Sequence, residues 1–127
     1  MYKEIIIIMV VVTLVIVIDV ISNNYLIKAV DELSNELNVL KVLILERNKL
    51  QAKEQMKIVK NKWKEKYNVL AYYIEHDELE KVETELVRLS ANIEVKEYEH
   101  CIEEIEVAIF ILEHIQKKEK IDIISIF

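Results

Sequence analysis

The side chains able to do chemistry are few and scattered. His76, His100 and His114 are the only histidines, and Cys101 the only cysteine, among 127 residues. His76-Asp77-Glu78 is the densest group of metal-type donors, and His100 is a second candidate. Yet no His-x-x-x-His or Cys-x-x-Cys pair exists to seat zinc. His100 and His114 stand four turns, roughly 21 Å, apart along one helix. His76, Asp77 and His100 are therefore the candidates for metal, but no metal ligand and no cofactor is assigned. Nucleophilic catalysis needs convergent groups. No Ser-His arrangement is visible, and His100 and Cys101, as neighbours, point to different faces of a helix. The many carboxylates read as a solvated acidic face. No catalytic residue is assigned and no enzyme is expected. Cys101 cannot close an intramolecular disulfide and reads as a small buried apolar residue.

Composition narrows the field further. The chain has no glycine and no proline, which normally make up about 7% and 5% of a protein. The Walker A loop, the dinucleotide fingerprint and the nucleophile elbow all require glycine and are excluded. Multi-stranded β folds with tight hairpins lean on glycine turns. An all-α protein remains, with turns built from Asn, Asp, Ser and His. Without glycine at any helix C-terminus, the ends must rest on Ser22, Asn48, Asp77 and Asn92, which are softer stops than glycine-capped ones.

The N-terminus reads as a membrane segment. Ile5 to Ile18 is an unbroken apolar run with a single Thr. Residues 2–21 make a helix of about 30 Å, the thickness of the hydrocarbon core. The fourteen residues together favour insertion by very roughly 5 kcal/mol, against at most about 3 for Asp19 near the end. Residues 1–22 are assigned as a single transmembrane signal anchor, held in the bilayer through residues 2–21. Cleavage after Ser22 is the rival reading. Lys3 and the α-amino group precede the span and Lys28 follows it, so the positive-inside rule leans to N-in, C-out. The expected location is the cell membrane, single-pass, with the C-terminal domain extracytoplasmic.

Beyond the anchor, residues 23–120 read as a bundle of about four antiparallel helices, at 23–46, 50–75, 77–92 and 96–118. Leu26, Val30, Leu33, Leu37, Leu40 and Ile44 form a heptad-like stripe. It fails at Arg47 and Gln51, where a turn through Asn48 lets two helices fold back; one long rod through Asn48 is the other possibility. His76 reads as the end of the second helix. Asp77 reads as the cap of the third, with Glu80 three residues on to complete a capping box. Val107 to Leu112 is apolar all round, which predicts a central fourth helix. The tail, residues 121–127, is apolar and is expected to pack on the bundle or dock on a partner. Sliding the chain by 49 aligns Ala52, Glu54, Met56, Ile58, Val59 and Trp63 with Cys101, Glu103, Ile105, Val107, Ala108 and Leu112, a weak internal repeat.

Charge is segregated. Lys41–Lys66 carries nine basic and three acidic residues, whereas Glu75–Glu106 carries three basic and twelve acidic. The simplest packing sets the basic second helix beside the acidic third and fourth. The alternative is a basic face for headgroups or polyanions. Nucleic acid is not an expected partner, given the acidic total and the anchor.

Several short runs together resemble a known family. These are Trp63 in the second helix, the junction Ile74-x-His76-Asp77-Glu78-Leu79, the run His114-Ile115-x-x-x-Glu119, and the ending Ser125-Ile126-Phe127. They are similar to a bacterial membrane-anchored helical family of clostridial type, domain of unknown function family 4363. Ser125 stands where that pattern has Asn. The resemblance implies an anchored helical domain and brings no activity with it. It draws attention to His76-Asp77-Glu78 and to the tail.

The function expected from all this is a non-enzymatic, single-span helical module, an interaction or accessory protein for a membrane or envelope partner or for its own kind. Ile123, Ile124, Ile126 and Phe127 are the partner-binding candidates, and His76, Asp77 and Glu80 the helix-junction residues. Two alternatives are an extracytoplasmic sensory or ligand-binding bundle, and a division-type bitopic coiled coil.

Overall fold

The computed structural model describes residues 1–126, apart from the side chains of Ile123, Ser125 and Ile126. Four helices follow one another: α1 (Tyr2–Leu45), α2 (Lys49–Leu70), α3 (His76–Glu94) and α4 (Tyr98–Ile126). Each packs antiparallel on its sequence neighbour, and α1 also packs on α4, so the helices stand in a ring with α1 opposite α3 and α2 opposite α4.

α1 is one helix of 44 residues. The break expected at Ser22-Asn23-Asn24 does not occur, and the candidate anchor and the first bundle helix are continuous. Three poor helix formers cost only a few tenths of a kcal/mol each, and no Gly or Pro adds to them. Leu26 is buried one turn later and fixes the register. The Tyr73 hydroxyl also donates a hydrogen bond to the Ser22 carbonyl, 3.0 Å away, tying the helix to the turn after α2.

The core is the sum of four stripes. Leu26, Val30, Leu33, Leu37, Leu40 and Ile44 of α1 meet Ala52, Met56, Val59 and Trp63 of α2. Leu79, Val82, Leu86, Leu89 and Ile93 of α3 and Cys101, Ile105, Ala108, Leu112 and Ile115 of α4 complete it. The weak repeat is a property of this packing. From Val30 to Trp63, every buried apolar position of the first hairpin has a buried counterpart 49 residues later, Val30 with Leu79 through Trp63 with Leu112. The two hairpins are thus equivalent halves, related by a half-turn about the bundle axis.

Helix ends follow the same equivalence. Arg47 and Lys96, also 49 apart, both take the left-handed conformation, with φ of 57° and 60°. At the first, Arg47 N–H donates to the Ile44 carbonyl and Asn48 N–H to the Leu43 carbonyl; at the second, Lys96 N–H donates to Ile93 and Glu97 N–H to Asn92. Both are Schellman motifs, formed here without glycine. The ends of α1 and α3 are therefore firmer than the composition suggests. Asn48 then caps α2, its side chain accepting from Gln51 N–H at 3.2 Å. The chain turns at this point, so residues 23–75 form a hairpin, not a rod.

Two further boundaries differ from expectation. α2 stops at Leu70, and His76 opens α3 instead of closing α2. Glu75, not Asp77, is the N-cap of α3, and its backbone carbonyl accepts from Glu78 and Leu79. Asp77 lies in the first turn, where its charge suits the helix dipole. Stretch 121–126 is the last part of α4, with no break before it.

A non-glycine residue in the left-handed region costs about 1–2 kcal/mol. Lys96→Gly should therefore stabilise the bundle by roughly 0.5–1 kcal/mol after the greater flexibility of glycine in the unfolded chain is counted. Lys96→Val should destabilise it. Urea unfolding of the three proteins measures both effects.

Candidate functional site

The histidines do not converge. His76 sits at the start of α3, exposed, its Nε2 3.9 Å from Glu80 Oε2. His100 sits at the start of α4, exposed, its Nδ1 3.7 Å from Glu103 Oε2. These helix starts lie at opposite ends of the bundle, about 27 Å apart by the rise of α3. Asp77 is exposed near His76, and Glu80 faces His76, but no third donor joins them. Among the described residues no group of three or more His, Cys, Asp or Glu is placed to hold a metal. Cys101 is fully buried in the core, and burial first, then the charge of Glu104, pushes its thiol up to about 11. It is a packing residue.

The charged helices are arranged differently from expectation. α2 lies between α1 and α3, and α4 is diagonal to it. Three α2 lysines therefore pair with α1 and α3: Lys66 with Glu32 at 2.8 Å, Lys62 with Glu36 at 3.9 Å, Lys53 with Glu94 at 2.9 Å. Gln55, the one buried polar residue among the described residues, donates from Nε2 to the Glu36 carbonyl and to Glu36 Oε2. Among the described residues the acidic side chains of α4 receive no α2 partner. Glu106 binds Lys41 at 2.7 Å, and Glu104 accepts from Asn92.

That leaves α4 with an uncovered face. Its buried stripe, from Cys101 to Ile115, faces the core. A second stripe, Glu103, Val107, Phe110, His114, Lys117, Ile121 and Ile124, repeats every three or four residues on the opposite side. Phe110 is 68% exposed and Ile124 63%. Phe110 stacks on His114, ring centroids 6.4 Å apart and planes within 15°. The expectation of a central α4 is thus corrected: VAIFIL is apolar all round because α4 carries two stripes, one buried and one outward. The same 4-3 spacing that marked the inner stripe could have revealed the outer one. Of the tail candidates, Ile124 is exposed on this face; the side chains of Ile123 and Ile126, and Phe127, lie outside the described residues.

At the other extreme, α1 leaves the bundle through a polar neck. Tyr73, Glu119 and Tyr25 lie close together there. Burial, then Tyr25 and Glu119, pushes the Tyr73 phenol up to about 12. Burial also raises the Glu119 carboxyl, helped by Asp122 and, more weakly, Asp19 and Glu75, and opposed by Lys118. A carboxyl raised in the folded state holds its proton more tightly there than in the unfolded chain. Stability is then gained as pH falls through the folded value and lost as it rises. Glu119→Gln should raise the thermal unfolding midpoint at neutral pH. The gain should vanish near pH 4, where both states of the wild-type residue are largely protonated.

No curated protein matches the chain, and no solved structure matches it. The family described as Domain of unknown function (DUF4363) matches residues 20–126, which is the bundle without the apolar stretch that precedes it. On that match the chain belongs to the DUF4363 family.

Proposed function

We propose that this protein is a single-span membrane module that holds a helical bundle against one membrane face and presents the outer side of α4 to a protein partner. The observation that carries the reading is the two-part character of α1. Its first half is long and apolar enough to cross a membrane, and none of that apolar window is buried within the bundle. Its second half is the core of the bundle. Water would not tolerate so large an apolar surface, since ordinary soluble chains expose patches of only a few hundred Å². Lys3 before the span and the sparse basic residues just after it favour a cytoplasmic N-terminus and an extracytoplasmic bundle.

The partner surface is argued from α4. Val107 and Phe110 are apolar, exposed and flanked by Glu103, Glu106 and Glu113, so a basic amphipathic helix is the complementary ligand. Ile124 extends this surface toward the membrane. A non-enzymatic role fits a site made of packing surfaces. A coiled-coil rod is disfavoured, because the continuous helix through Asn48 that it requires is replaced by a turn.

Deleting residues 2–21 should release the bundle into the soluble fraction with its unfolding midpoint little changed, whereas the full chain should resist alkaline carbonate extraction. A photo-crosslinker at position 110 should give a discrete adduct in native membranes, and one at Asn61 on α2 should give none. Loss of the full chain to the carbonate wash would end the anchor reading, and equal adducts at both positions would end the α4 reading.

A further inference from the structure

The half-turn that relates the two hairpins makes the α2–α3 seam equivalent to the α1–α4 seam. The two are not alike. The α1–α4 seam is closely packed, whereas the α2–α3 seam is the most open in the bundle. The residues explain the difference. On α4, Ile109 packs half-buried against the core and Leu112 is buried beneath it. Their counterparts on α2 are Lys60 and Trp63. An ammonium cannot be buried where Ile109 is, and an indole is too large for the place of a leucine. The seam is wedged apart, leaving a groove of about 340 Å³, within the size range of small-molecule sites.

The groove has a defined chemistry. α2 supplies Trp63 and Tyr67, which meet edge to face at 5.9 Å. α3 supplies Leu86 and the exposed Val87 as the facing wall. Three charged groups line it: Lys60, Lys64 and Glu83. Lys60 Nζ donates to the Ser90 hydroxyl at 2.8 Å, and neither lysine forms an ion pair with a carboxylate among the described residues. Trp63 is 5% exposed, yet its indole Nε1 has no hydrogen-bond partner. The wall is therefore apolar and aromatic, the rim carries one net positive charge, and one buried donor is unused.

We infer that the α2–α3 groove is a binding site for a small apolar monocarboxylate, its hydrocarbon body lying between Trp63, Tyr67 and Val87 and its carboxylate between the ammonium groups of Lys60 and Lys64. Two ammonium groups and one carboxylate match a singly charged anion, and Glu83 disfavours a doubly charged one. A neutral amphiphile would leave both lysines without a counter-charge. The site needs neither the span nor the α4 face, so its failure and the failure of the membrane reading are separate results.

Trp63 is the only tryptophan in the chain, so its emission reports on the groove alone. The full chain is placed in uncharged phosphatidylcholine vesicles and titrated with octanoate, 1-octanol and acetate, with excitation at the indole edge. Octanoate should shift the Trp63 emission saturably, and octanol and acetate should not at the same concentrations. Lys60→Gln with Lys64→Gln should weaken octanoate about tenfold or more, as expected for losing charge-assisted hydrogen bonds. Should the double variant unfold early, Val87→Phe serves instead; it fills the groove from an exposed position, keeps both lysines, and should abolish the response. An octanol shift equal to that of octanoate, the absence of any saturable shift, or unchanged octanoate binding in a folded variant would overturn the assignment.

Discussion

The bundle depends on the burial of one stripe of α1. Leu26, Val30, Leu33, Leu37, Leu40 and Ile44 are all almost fully covered, and α1 is the helix on which both α2 and α4 are laid. Removing a large buried aliphatic side chain costs about 2–5 kcal/mol, a large part of the stability of a domain this size. The stripe also sets the direction of the chain before it. Because Leu26 is locked in the core and no Gly or Pro intervenes, the helix that emerges from the bundle at Ser22 keeps its axis through the apolar half. The orientation of that half is a consequence of core packing.

The same economy governs the rest of the fold. A hairpin is used twice, with core positions and left-handed turn residues recurring at a spacing of 49. Equivalence holds where residues are interchangeable in an apolar core, as Met56 is with Ile105 or Ala52 with Cys101. It fails where a residue changes class. Lys60 in place of Ile109 and Trp63 in place of Leu112 open one seam, and a ring of four helices with one open seam has a groove. Charge follows this placement too. The ion pairs of Lys53, Lys62 and Lys66 link α2 to both its neighbours, which sets register more than it adds stability, since exposed pairs contribute about 0.2–1 kcal/mol each.

Much of this was legible in the residues. The four apolar stripes and the apolar N-terminal half follow from periodicity and composition, and the buried side chains fall on the stripes so read; the break in the stripe at Arg47 left a hairpin and a rod both open, and the backbone at Arg47 and Asn48 decides for the hairpin. What periodicity could not supply was the end of each helix. Glycine-free composition argued for soft ends, but the backbone of Arg47 and Lys96 accepts a strained conformation because the carbonyls of Leu43 and Asn92 are satisfied by it. Ser22-Asn23-Asn24 carried cap-forming side chains and was still absorbed into α1, because packing on either side outweighs a small loss of propensity. Ring order was likewise hidden. Opposite charge on the second and fourth helices suggested contact, whereas the connection lengths and apolar stripes set them diagonally. The outer face of α4, with Val107 and Phe110, is as apolar as its core stripe, and an all-round apolar run does not by itself tell two stripes from a central helix.

The central claim is mechanical: the apolar half of α1 and the core half are one rigid helix, so the bundle is held at a fixed attitude to whatever contains residues 2–21. A spin-label distance tests it most directly. Labels at Val10→Cys and Val39→Cys, both exposed on α1, in a Cys101→Ala background, lie 29 residues apart. A continuous helix predicts a single narrow distribution near 44 Å at 1.5 Å per residue. A broad distribution, or one centred well below that distance, would place a hinge near Ser22 and contradict the account.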